Sequence, residues 1–119
     1  MLKRKLYNHP YSKCTVEELE IIGDSHGYVR GDEEDGDRVS VYCLISYETS
    51  VMRIFVNHTR GTVWAFCPCT YSQTTRRQLS WFISEMRNLL SKEFPQASEW
   101  TYQSFKQSVI GETAQVRII

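Results

Sequence analysis

Four cysteines and three histidines are the residues of this sequence that could bind a metal or act as nucleophiles. Cys67 and Cys69 have one residue between them, whereas structural zinc sites usually place two to four residues between paired thiolates. A site that combines Cys14, Cys67, Cys69 and a histidine is chemically conceivable, but the histidines are scattered over predicted loops. The spacing therefore favours reduced, structural cysteines and predicts neither a metal nor a cofactor.

Local catalytic signatures are missing from the sequence. It has no nucleophile elbow, no phosphate-binding glycine loop and no paired-histidine metalloprotease motif. Any serine or cysteine can be paired with any histidine on paper, so such pairs carry no information without a signature. The acidic segment around Gly36 does not fit a calcium loop, because Tyr42 falls where the bidentate glutamate is needed. The sequence thus predicts a protein that is not an enzyme.

Two adjacent arginines, Arg76 and Arg77, lie at the start of a predicted helix. Arginines there oppose the positive end of the helix dipole. A compensating carboxylate, a phosphate or an acidic patch on another protein is expected beside them, and two solvated arginines are the alternative. Trp81 borders the apolar stripe of the same helix, either as core or as an exposed anchor, and Trp and Arg are enriched at interface hot spots. Together with Tyr71, these residues form the predicted partner-binding surface.

Length and charge limit the class of protein. The 119 residues suit one domain, residues 1–119, and the 14 basic and 14 acidic side chains balance to a net charge of zero. A nucleic-acid binder usually carries a basic excess, so only a local basic patch would serve that role. Low net charge favours association with a partner or as a homodimer. Because no apolar segment reaches the ~20 residues of a membrane helix, we expect a cytoplasmic protein without a membrane partner.

Alternating apolar and polar residues predict an antiparallel sheet. Residues 39–47, 51–57 and 62–67 form three strands, and residues 15–22, whose composition also suits a helix, are interpreted as a fourth. The intervening residues 23–38 are rich in Gly, Asp and Glu, which predicts a solvated, flexible loop or a loose hairpin connection.

The two faces of the predicted strand at residues 39–47 carry different side chains. Val39, Val41 and Cys43 fall on one face, which we interpret as the core face, and Tyr42 falls on the other. A cysteine on a core face usually behaves as a small hydrophobic residue. Tyr42 is therefore expected on the exposed face of the sheet, opposite the helix.

An amphipathic helix is predicted from about residue 75 to residue 93. Thr75 and Gln78 have the spacing of a capping box, and Pro95 ends the helix. A shorter helix begins near Ser98, and Gly111 closes it. The predicted fold class is α+β: an antiparallel meander of three or four strands, with the long helix on one face and a short C-terminal helix. The apolar stripe of the long helix comprises Leu79, Phe82, Ile83, Met86, Leu89 and Leu90.

Three segments resemble a family of small phage and prophage proteins of unknown activity. Residues 44–51 (LISYETSV) are similar to its "LISY-x-T-x-V" strand. Residues 71–85 (YSQTTRRQLSWFISE) are similar to a "YS-x-TT-x-R" start that leads into an "F-x-x-E" helix, and residues 7–12 (YNHPYS) are similar as well. The chain departs from the pattern at Gln78, where the family usually has histidine.

The resemblance implies a phage-type accessory protein in the cytoplasm of a bacterial host. It implies no activity and supplies no catalytic residue. With no catalytic motif in the sequence, we expect non-catalytic binding to a host or viral macromolecule. Inhibition of a bacterial defence system such as a CRISPR nuclease is one specific form of that function. A nucleic-acid-binding module that uses the basic helix start is the alternative.

Overall fold

The computed structural model describes residues 2–10, 13–22, 36–68 and 73–119. The α+β class is confirmed, but the described residues form a sheet of six strands instead of three or four. Within the described residues, no helix is long and apolar enough to cross a membrane. The elements, in chain order, are β1 (Leu2–Asn8), β2 (Cys14–Ile22), β3 (Arg38–Ser46), β4 (Thr49–Asn57), β5 (Thr62–Phe66), α1 (Gln73–Leu90), a 3₁₀ helix (Pro95–Glu99), α2 (Tyr102–Ser108) and β6 (Val116–Arg117).

The six strands form one antiparallel sheet in the order β1-β2-β3-β4-β5-β6. Strand β1 was not predicted, because its Lys-Arg-Lys run shows no alternation of apolar and polar residues. It pairs with β2, where Lys5 lies opposite Glu17, and opposite charges in directly facing positions stabilise a strand pair. After the helices, the chain returns to the sheet, and β6 pairs with β5 through Val116 and Arg117.

Two turns set the register of the central hairpins. Between β3 and β4, Tyr47 and Glu48 both have positive φ, 49° and 70°, the geometry of a two-residue hairpin turn that normally selects Asn and Gly. Between β4 and β5, Gly61 completes the turn at residues 58–61 and takes a φ of 70°. Only glycine adopts that conformation without a steric penalty.

Helix α1 begins earlier and ends earlier than predicted. Its first residue is Gln73, so Thr75 lies inside the first turn and the predicted capping box of Thr75 and Gln78 is wrong. The predicted apolar stripe is correct. Five of its six members are buried, namely Leu79, Phe82, Ile83, Met86 and Leu90, and Leu89 is partly buried.

The helix covers the opposite face of the sheet from the one predicted. Tyr42 and Leu44 share a core cluster with α1 residues such as Phe82. Val41 and Cys43 belong to a second cluster, on the other face. Both faces of β3 are apolar enough to be buried, so period-two alternation could not decide which of them meets the helix. Tyr42 is accordingly 4% exposed.

The end of the predicted acidic loop, residues 37 and 38, is not a solvated loop, because Asp37 is buried and Arg38 is the first residue of β3. Asp37 is buried and accepts hydrogen bonds from Arg60 Nε at 2.7 Å and from Asn57 Nδ2 at 3.0 Å. This cluster fixes the beginning of β3 to the β4–β5 turn. The rest of the predicted loop, residues 23–35, lies outside the described residues.

Candidate partner-binding surface

The two arginines singled out from the sequence lie on the solvent-facing side of α1. Arg76 and Arg77 are exposed, and so is Ser80. Together with Tyr102, the first residue of α2, they line an open cleft of about 250 Å³. We call these four residues the basic cleft.

A hydrogen-bonded cap holds Tyr102 at the edge of the basic cleft. The Thr101 hydroxyl accepts a hydrogen bond from the Ser104 backbone N–H at 3.1 Å, and the Ser104 hydroxyl accepts one from the Thr101 N–H at 3.1 Å. Such a reciprocal capping box satisfies two N–H groups that a helix start otherwise leaves without partners. It fixes where α2 begins, and therefore where the Tyr102 side chain leaves the backbone.

Arg76 is held against Tyr102. Its Nε donates a hydrogen bond to the Tyr102 hydroxyl at 3.2 Å, and its guanidinium carbon lies 5.8 Å from the centre of the ring. A cation over an aromatic face gains about 0.5–1 kcal/mol at an exposed site. The guanidinium is thus oriented before any ligand arrives.

Among the described residues, neither arginine has a compensating carboxylate, which was one of the partners expected from the helix dipole. The first turn of α1 contains no acidic residue. Across residues 2–10, 13–22, 36–68 and 73–119, no ion pair involves Arg76 or Arg77. Within the described part of the chain, two positive charges therefore lie side by side on the surface.

Trp81 lies at the border of this surface. It is partly buried against the main core cluster, and its ring meets the His9 ring edge-to-face, with centroids 5.0 Å apart and an interplanar angle of 79°. Trp81 is four residues beyond Arg77, which makes the two neighbours on the helix surface. It therefore offers only a partial apolar edge to a ligand. Tyr71, the fourth predicted site residue, lies outside the described residues.

The three cysteines in the described part of the chain are distributed over the interior. Cys14, Cys43 and Cys67 are reduced and buried. Cys14 and Cys67 belong to the cluster under α1, whereas Cys43 lies in the cluster on the other face of the sheet. Burial raises the pKa of the Cys14 thiol to about 11. In the described part of the chain, no three His, Cys, Asp or Glu residues are grouped closely enough to hold a metal ion, and Cys69 lies outside that part.

A hydrogen-bonded chain that the sequence did not indicate crosses the opposite end of the sheet. His58 Nε2 lies 2.8 Å from the Ser40 hydroxyl, and His58 Nδ1 lies 2.8 and 3.0 Å from the two Glu93 carboxylate oxygens. The three residues come from β3, from the turn after β4 and from the segment after α1. Because they are separated by 18 and 35 positions, no local motif could have linked them.

Tyr42 extends this chain towards β2. Its hydroxyl donates a hydrogen bond to the Glu18 carboxylate, and its oxygen lies within hydrogen-bonding reach of the Ser40 hydroxyl. Burial, followed by the hydrogen bond and negative charge of Glu18, raises the pKa of Tyr42 well above its usual range. Tyr42 is therefore a neutral hydrogen-bond donor at neutral pH.

No protein-family model, no curated protein and no solved structure matches this chain. The resemblance to phage proteins stays a prediction.

Proposed function

We propose that this protein binds another macromolecule through the basic cleft, without catalysing a reaction there, and that the bound surface is an acidic patch on a protein. The observation that carries the proposal is the pair Arg76 and Arg77, exposed, adjacent and without an ion pair in the described part of the chain. The contact with Tyr102 orients the first of them. A guanidinium oriented in advance loses less side-chain entropy on binding, which favours affinity.

A protein carboxylate suits this cleft better than a nucleic-acid backbone. Arginine binds carboxylates in a bidentate way, and Arg with Tyr and Trp is the composition typical of interface hot spots. Nucleic-acid binders neutralise several phosphates along an extended surface, whereas this chain has a net charge of zero and the cleft contains two cations. Binding to nucleic acid is the alternative outcome, and a steep loss of affinity with salt would reveal it.

The phage-type form of the proposal places the partner among host or viral proteins in the bacterial cytoplasm. Inhibition of a defence nuclease, such as a CRISPR enzyme, is its most specific version. A plasmid-interference assay in cells that express the protein tests that version alone. A negative result there would remove the defence role and leave binding through the basic cleft to be judged separately.

Charge reversal tests the binding proposal itself. The double variant Arg76→Glu with Arg77→Glu should fold, because acidic residues suit the start of a helix better than arginines do. It should nevertheless lose the partner. A matched control, Lys13→Glu with Lys92→Glu, changes the net charge equally at two exposed positions outside the cleft.

A further inference from the structure

The chain from Ser40 through His58 to Glu93 has the atom order of a serine hydrolase triad. The hydroxyl faces Nε2 of the imidazole at 2.8 Å, and the carboxylate faces Nδ1 at 2.8 Å. Such triads are recognised by this geometry and not by sequence order, since the same constellation occurs on unrelated folds. Here it spans three separate elements of the fold.

The carboxylate decides which nitrogen of His58 carries the proton. Both Glu93 oxygens lie within hydrogen-bonding distance of Nδ1, and a carboxylate can only accept a hydrogen bond, so the proton is on Nδ1. Nε2 then presents its lone pair to the Ser40 hydroxyl, which donates. This is the tautomer a general base needs to take a proton from serine.

We propose that Ser40, His58 and Glu93 form an acyl-transfer site that hydrolyses small carboxylic esters. Ser40 Oγ forms a bond to the carbonyl carbon while its proton passes to His58 Nε2. The bond from that carbon to the alcohol oxygen breaks, and His58 returns the proton to the departing alcohol. Water then attacks the acyl-serine with His58 again as base, which releases the carboxylic acid and restores Ser40. Glu93 is a positioning residue that keeps the imidazole in the required tautomer.

Tyr42 lies beside the nucleophile as a neutral group. Burial, followed by the hydrogen bond and negative charge of Glu18, raises its pKa, so it stays protonated at neutral pH. Because a carboxylate can only accept a hydrogen bond, the single hydroxyl proton of Tyr42 is donated to Glu18. Tyr42 therefore adds no negative charge next to Ser40.

Burial restricts the substrate. Ser40 is 3% exposed, while the side chains of His58 and Glu93 are 14% and 45% exposed, so solvent exposure decreases from the carboxylate to the nucleophile. Such narrow access predicts reaction with acetyl esters and little reaction with long-chain or aromatic acyl groups. The site shares no residue with the basic cleft, and its activity would overturn the sequence-based expectation that the protein is not an enzyme.

The test is covalent labelling of the folded protein with p-nitrophenyl acetate and with a small fluorophosphonate, followed by peptide mapping. The fluorophosphonate should modify Ser40, with loss of fluoride. Ser46→Ala, which changes a buried serine on the same strand, should label like the wild type. His58→Gln should slow labelling by about 100-fold or more, the usual contribution of a general base. Mapping in the wild type assigns the residue even if Ser40→Ala fails to fold.

Substitutions of Glu93 test its positioning role separately. Glu93→Gln should slow labelling by about 100-fold without lowering the thermal midpoint, and Glu93→Asp should recover part of the rate. No modification of Ser40 in the folded protein would overturn the proposal. So would labelling that appears only after denaturation, or ester hydrolysis that is unchanged in His58→Gln.

Discussion

Arg76 and Tyr102 join the start of α1 to the start of α2, with Arg76 Nε 3.2 Å from the tyrosine hydroxyl. The basic cleft therefore depends on both helices, because α1 supplies the guanidinium and α2 supplies the tyrosine that holds it in place. The capping box at Thr101 sets the position of the tyrosine. The binding surface therefore depends on how the C-terminal helices pack, as well as on the two arginines.

The packing of α1 on the sheet is tested by Phe82→Ala. Phe82 is fully buried in the cluster that α1 shares with the sheet. The free energy of unfolding should fall by about 3–5 kcal/mol, a large part of the ~5–15 kcal/mol of a typical domain. Urea unfolding followed by circular dichroism measures it, with Asn88→Ala at an exposed α1 position as the control. A loss below about 1 kcal/mol would mean that this stripe does not face the domain's own core.

The turn between β3 and β4 contains backbone strain that a glycine would relieve. Glu48 has a φ of 70°, and a residue with a Cβ pays about 1–2 kcal/mol in the left-handed region. Glu48→Gly should therefore stabilise the fold by about 0.5–1 kcal/mol, after allowing for the greater freedom of glycine in the unfolded chain. Glu48→Ala, which keeps the Cβ, should bring no gain. Equal unfolding midpoints for the glycine and alanine variants would show that the turn is not strained.

The strands and the apolar stripe of α1 were predictable, because periodicity reports directly which residues share a face. Strand β1 was not, because an edge strand such as residues 2–8 need not show apolar alternation. The prediction of which sheet face the helix covers was wrong for a different reason. Both Val41 and Tyr42 end up buried, so alternation along β3 identifies a strand without telling which side the helix covers. The pairing of His58 with Glu93 depends on tertiary packing, which no local pattern encodes.

Burial of Cys14 predicts a loss of stability at alkaline pH. The pKa of this thiol is raised to about 11 in the fold, from an ordinary value of 9.0. Between these values the unfolded chain binds fewer protons than the folded chain, so the free energy of unfolding falls as pH rises and is unaffected at lower pH. Tyr42 acts in the same direction, because its pKa is also raised.

Urea midpoints at about pH 8 and about pH 10 measure this effect. Cys14→Ala removes the thiol and should lose less stability between the two pH values than the wild type does. Parallel losses in the two proteins would show that Cys14 does not ionise differently on unfolding.

The affinity of the purified partner for the charge-reversed protein tests the central claim most directly. The partner is first identified by quantitative capture from bacterial lysate treated with nuclease, and is then purified. Its Kd is measured for the wild type, for Arg76→Glu with Arg77→Glu, and for the control Lys13→Glu with Lys92→Glu. Thermal melting establishes that all three proteins are folded.

We predict that the control binds like the wild type and that the double reversal in the basic cleft raises Kd at least about 10-fold, which corresponds to 1.4 kcal/mol. A folded Arg76→Glu, Arg77→Glu protein that keeps the wild-type Kd would contradict the account.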